Sequence, residues 1–159
     1  MLRRREVLVS GVLAGGAGAM LGAPAGAAER RQFQNFTAEI AAAQERLAAF
    51  LTAFNARDVK AYEATFNFPH VRFASSRVTI INPGDTTLAM FERGMLKEWD
   101  HSRWQRREVI HAGADKVHID TRFARYRKDG SLLGAFDSIY IVTRVEGRWG
   151  IQGRSSFAG

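Results

Sequence analysis

The stretch FNARDVKAYEATF (Phe54–Phe66) decides how the rest of the chain is read. Upstream of it, Ile40, Leu47, Phe50, Leu51 and Phe54 recur at helical spacing on one face, while Glu39, Gln44, Glu45 and Arg46 occupy the other, which predicts a helix over about 38–55. Asn55-Ala56-Arg57-Asp58 then interrupts the pattern. The Asp58 carboxylate can accept from a backbone N–H in the following turn and so cap a second helix with Val59, Tyr62 and Phe66 on its apolar face. Pro69 is expected to end that helix, because a proline disfavours helical backbone in the residue before it, here Phe68.

Downstream the period shortens to two. Val71–Ala74 and Arg77–Ile81 read as short strands, and Asn82-Pro83-Gly84-Asp85 as a turn. A third helix is expected from about Thr86, with Leu88, Phe91, Met95 and Trp99 as its apolar stripe and Gly94 weakening its middle. Thereafter Trp104–Ala112, Lys116–Arg127, Leu132–Val145 and Arg148–Phe157 read as strands, joined at Gly113, Asp129-Gly130 and Glu146-Gly147 by hairpin chemistry. Helices followed by a run of strands is an α+β arrangement.

Composition bounds the function. The chain has 159 residues, no cysteine, 46% hydrophobic and 25% charged residues. It is long enough for one core and excludes a disulfide framework, a thiolate metal site or a cysteine nucleophile. At the N-terminus, Arg3-Arg4-Arg5 precede an uncharged Gly/Ala-rich run from Val7 to Ala28. Arg4-Arg5-Glu6-Val7-Leu8 has the pattern of a twin-arginine export signal, with small-x-small cleavage patterns at Ala23-Pro24-Ala25 and Ala25-Gly26-Ala27. The expected division is therefore a signal over 1–27, a linker or arm over 28–37 and a folded domain over 38–159, located in the periplasm or secreted. An uncleaved anchor is the alternative; otherwise membrane contact would be transient, during export. The formal charge is +7, and without Arg3, Arg4, Arg5 and Glu6 it falls to +5. The remaining cations are interleaved with acids, so nucleic acid is not an expected partner.

The order α-α-β-β-α-β-β-β-β, the phrase FNARDVKAYEATF with its Asn-x-x-Asp junction, and the closing GRWGIQGRSSFA together resemble the NTF2-like superfamily over about residues 38–158. The resemblance implies a cone: a curved antiparallel sheet wrapped on about three helices, enclosing a mostly apolar pocket and often dimerising through its outer face. It spans ketosteroid isomerases, scytalone dehydratase, SnoaL-like polyketide cyclases and many binding domains, so fold alone leaves function open. Where the isomerases of the superfamily place their Tyr and Asp oxyanion donors and their Asp base, this chain aligns Phe50, Ile141 and Ala74. Apolar groups can neither accept a proton nor stabilise a developing oxyanion, so isomerase chemistry is not expected.

Strand parity then nominates polar residues. If Ala74 faces the pocket, so do Arg72 and His70; if Ile141 does, so does Asp137. The expected ligand site is Tyr62, His70, Arg72, Trp99 and Asp137, with His70 and Asp137 as candidate catalytic residues. Arg72 could hold an acidic ligand, and His70 could act as a base oriented by Asp137. An internal Arg72–Asp137 ion pair beside a satisfied histidine is the bland alternative. His118, Asp120, Arg122 and Tyr126 are expected outside, opposite Val117, Ile119, Thr121 and Phe123. His101 would rim the pocket mouth near Trp99 and Trp104, and His111 ends a strand. No histidine pair has metal-motif spacing, and no phosphate loop or dinucleotide fingerprint occurs, so neither metal nor cofactor is expected. Three readings remain: a small-molecule-binding domain without chemistry, a lyase, cyclase or hydratase using His70 and Asp137, and a dimerising interaction domain with Tyr126, Phe136 and Tyr140 on its outer face.

Overall fold

The computed structural model describes residues 33–158. The expected export signal and most of the arm lie outside them. A short 3-10 turn at Gln34–Phe36 leads into helix α1, Thr37–Asn55, which ends at the expected junction. Both junction residues act as their chemistry suggests. The Asn55 amide exchanges two hydrogen bonds of 2.9 Å with the backbone of Ser102, tying the end of α1 to a distant strand. Arg57 takes a positive φ of 54°, and the Asp58 carboxylate accepts from the Ala61 N–H at 2.9 Å to start helix α2, Val59–Glu63.

Helix α2 stops earlier than its apolar pattern predicts, and Phe66 belongs to a strand. Strand β1 runs Phe66–Ala74 because Phe66 pairs in parallel with Ile151 and its ring enters the core. Tertiary pairing outweighs local helical preference here. Pro69 breaks no helix; it sits exposed in β1, between Phe66 and Val71, where the register against the neighbouring strand shifts. A residue without an N–H is tolerated at such an irregularity.

Strand β2, Arg77–Ile81, pairs with β1. The expected third helix is two 3-10 turns instead, Leu88–Glu92 and Gly94–Lys97, divided by extended Arg93 and by Gly94 at φ 52°. Glycine takes that left-handed conformation without steric cost, and it ends helical propagation. Four long strands follow: β3, His101–Ala112; β4, Lys116–Tyr126; β5, Leu132–Val145; and β6, Arg148–Ser156. The β5–β6 hairpin turns through Glu146 at φ 50° and Gly147 at φ 79°, the conformation in which both central residues are left-handed.

The sheet order is β2-β1-β6-β5-β4-β3, antiparallel except for the parallel pair β1–β6. Curving over α1, it buries Ala43, Leu47 and Phe50 of that helix against Phe66, Val117, Ile119, Tyr140, Val142 and Ile151. A second cluster, Phe54, Phe91 and Trp99, joins the helical junction to the 3-10 turns. Arg57 seals it with its guanidinium 4.7 Å from the Trp99 ring and a 3.0 Å hydrogen bond to the Trp99 carbonyl.

Candidate functional site

Cross-strand pairing sets which side chains enter the cone. On β1, His70 and Ala74 are buried, and Arg72 shares their parity. On β4 the buried row is Val117, Ile119, Thr121, Phe123 and Arg125. On β5 it is Ser138, Tyr140 and Val142. On β6 the pairing jumps from Val142–Ile151 to Ile141–Gly153, so Gln152 is an extra residue that lets both Ile151 and Arg154 point inward.

His70 and Arg72 therefore lie where parity predicts, but Asp137 does not. Tyr140 is the inward residue of its pair, so Ile141, Ile139 and Asp137 face the outside of the sheet. The Asp137 carboxylate accepts from Arg122 at 2.6 Å and from Arg106 at 3.3 Å, and Arg106 also reaches Asp120 at 2.7 Å. No His70–Asp137 dyad and no Arg72–Asp137 pair exists. The expected outer aromatics are corrected as well: Tyr140 is fully buried, and Phe136 packs its ring 5.6 Å from Phe123. Asp120 and Arg122 do take the outer face. Trp99 is buried in the second aromatic cluster, donating from Nε1 to the Ser102 hydroxyl. His101 pairs with Asp100 at 2.9 Å and stacks on Tyr126, and His111 meets His118 edge-on.

Two residues passed over in the sequence complete the interior. Arg125 and Arg154 are 5% and 8% exposed, and their guanidinium carbons lie 5.6 and 5.2 Å from the same Phe123 ring. Arg154 is also 5.2 Å from the Tyr140 ring, and Arg125 is 5.2 Å from that of Phe136. Arg72 is near enough to perturb Tyr62, Tyr140, His70 and Arg125. Among the described residues none of these three arginines forms an ion pair. Their acceptors are weak or neutral: the Ala158 carbonyl for Arg72, the Met95 sulfur at 3.7 Å for Arg125, and the Ser156 hydroxyl for Arg154. The buried Nε of Arg125, Nε of Arg154 and Nε1 of Trp104 have no acceptor among the described residues. An arginine brings five donors, so most of this donor capacity is open.

The protonation states follow from burial. Burial, then the charges of Arg154 and Arg72, lower Arg125 to about 10, and it remains a cation at neutral pH. Burial drives Tyr62 up to about 12 against the pull of Arg154, so its phenol is neutral. Burial also pulls His70 down to about 4, helped by Arg154 and Arg72 and opposed by the bond to the Ile151 carbonyl. That carbonyl, 3.0 Å from Nδ1, can only accept, which assigns the proton to Nδ1 and leaves Nε2 bare. His70 stacks flat on Phe66, with centroids 4.2 Å apart.

Between Phe50, Phe54, Trp104, Phe123, Tyr140 and the two deep arginines lies a cavity of about 20 Å³. The outer face instead bears an open groove of about 820 Å³ over β1, β6 and β5, lined by Val71, Phe73, Ile139 and Ile141 with Gly153 on its floor.

A bent sheet closed over one long helix, with ionisable groups turned into the enclosed interior, defines an α+β cone protein. Residues 38–155 match the family model described as NTF2-like protein (DUF6841), and the chain belongs to that family. Solved structures share the fold. A ketosteroid isomerase-like protein from Erwinia carotovora atroseptica superposes with a TM-score of 0.57 at 21% identity, over 76% of this chain and 96% of that one. A protein of unknown function with a cystatin-like fold from Nostoc punctiforme gives 0.61 at 15%, over 76% and 90%. An NTF-2 like protein of unknown function from Shewanella oneidensis gives 0.56 at 19%, over 70% and 93%. None of the curated proteins compared with the chain matches it.

Arg125 was legible in principle, since it continues the parity of Val117, Ile119, Thr121 and Phe123. Arg154 had no such signal. Its inward direction depends on the bulge at Gln152.

Proposed function

We propose that this chain is an exported, non-isomerising binding domain that takes a small organic acid into its cone, the acid group held between Arg125 and Arg154 with help from Arg72. The observation that carries this reading is the set of three inward guanidiniums with no carboxylate partner among the described residues. Burying one unpaired charge costs several kcal/mol, so a fold that keeps three like charges together is poised for an anion. The aromatic walls, Phe50, Phe54 and Tyr62, suit an apolar ligand body. Phe50 and Ala74 supply no acid or base, and His70, neutral and without an orienting carboxylate, is a weak base. The cavity matches a head group alone, so the body needs room from the 3-10 segment whose Met95 rests on Arg125. Likeness to a ketosteroid isomerase-like protein supports use of the interior for a small molecule.

A thermal-shift screen of aromatic and alicyclic carboxylates tests the reading. Stabilisation of the wild type that disappears in Arg154→Met supports it; equal stabilisation of both proteins, or none, defeats it.

Export rests on Arg4-Arg5 and the Gly/Ala-rich run, and mass spectrometry of the periplasmic protein should find its N-terminus near Gly26 or Ala28 rather than Met1. Homodimerisation rests on the exposed outer patch of Phe73, Val78, Ile80 and Ile139, and sedimentation showing only monomer at micromolar concentration would reject it.

A further inference from the structure

We propose that the cavity between Arg125, Arg154 and Trp104 is a halide site, loaded with chloride or bromide when no organic acid is present. The proposal rests on the reading of the interior arginines as an anion site and deepens it by naming the ion at the head-group position. Size comes first. The cavity measures about 20 Å³, and since a single water needs roughly 10–15 Å³ it takes one small guest at the head-group position.

Chemistry separates an ion from a water. Arg125, Arg154 and Trp104 line the cavity, and the unsatisfied buried groups of these three residues are all donors: Nε–H of Arg125, Nε–H of Arg154 and Nε1–H of Trp104. A water could accept from two of them but would still need acceptors for its own hydrogens. An anion accepts from such donors without needing acceptors in return, and it offsets charge that no carboxylate among the described residues offsets. Guanidinium and indole are weakly hydrated donors flanked here by Phe123 and Tyr140, so the site favours ions that lose water easily. Bromide and chloride should therefore bind ahead of fluoride.

The test titrates sodium bromide into the purified protein at constant ionic strength against sodium gluconate, following unfolding temperature and tryptophan emission, with Arg125→Met and Trp104→Phe alongside. Expected is a saturable rise in unfolding temperature, with emission quenched over the same concentrations. Affinity should fall at least tenfold in Arg125→Met, and the saturable quenching should vanish in Trp104→Phe. Should either variant fail to fold, bromide anomalous scattering from wild-type crystals should show a peak within hydrogen-bonding distance of Trp104 Nε1. No saturable response and no such peak overturns the halide site. If benzoate stabilises the wild type and bromide does not, the halide proposal falls while the organic-acid reading stands. If bromide binds but does not compete with benzoate, the ion sits elsewhere and the proposal is likewise overturned.

Discussion

Arg122 and Arg125 stand on the same strand, β4, and end in opposite surroundings. Arg122 points outward, half-exposed, and holds Asp137 at 2.6 Å within a group that includes Arg106 and Asp120. Arg125 points inward, nearly fully buried, with a methionine sulfur as its acceptor and Arg154 across the Phe123 ring. Residue type is the same and energetic logic is reversed. Outside, water solvates each charge and pairing contributes little. Inside, the charges are desolvated and unpaired, so the fold alone gives no reason to keep them. Absence of a partner, more than presence of charge, is what sets the face of the proposed site apart.

The largest expected test of this contrast is pH. His70 falls to about 4 in the fold against an ordinary 6.5, so the unfolded chain takes up a proton first as pH drops. Its stabilising contribution is complete above about pH 6.5 and is lost down to about pH 4, in total about 3 kcal/mol and about 2 kcal/mol of it by pH 5. Urea denaturation at pH 7 and pH 5 should show that loss in the wild type and much less of it in His70→Gln. Equal losses in both would mean that the interior is wetter than its burial implies.

Replacing an interior arginine comes next. In ligand-free, low-salt buffer, Arg125→Met should raise unfolding free energy by about 2 kcal/mol, because an apolar chain of similar reach removes a buried charge. A comparable loss instead would reveal a partner for Arg125 and break the contrast. The outer face should respond least. A double-mutant cycle with Arg122→Gln and Asp137→Asn should give a coupling below about 1 kcal/mol that shrinks with added salt. A larger, salt-insensitive coupling would make the outer group a structural centre in its own right.

Much of the fold was written locally. Asp58 caps α2, Arg57 with its positive φ shapes the turn, and Glu146-Gly147 closes a hairpin, each through groups within a few residues, whereas Asn55 acts at long range on Ser102. Alternation likewise exposed the strands. It also placed Asp120 and Arg122 outside, because the large apolar residues of β4 fix the phase of that strand; on β1 the phase came from the resemblance, which aligned Ala74 with a pocket position and so put His70 and Arg72 inside. On β5 the phase was not local. Ile139, Ile141, Tyr140 and Val142 are all apolar, and only packing against α1 decides that Tyr140 and Val142 are inward, which carries Asp137 to the outside.

By itself, then, the sequence determined the first helix, the cap of the second, the four long strands and the turns between them, since these depend on backbone chemistry and side-chain alternation at short range. Tertiary structure alone decided three further matters: that Phe66 leaves the helix to pair with Ile151, that a bulge at Gln152 turns Arg154 inward, and that Arg125 meets it across Phe123. The physical reason is common to all three. A strand's facing is a binary choice that local propensity does not make, and it is set by contacts with residues far away in the chain.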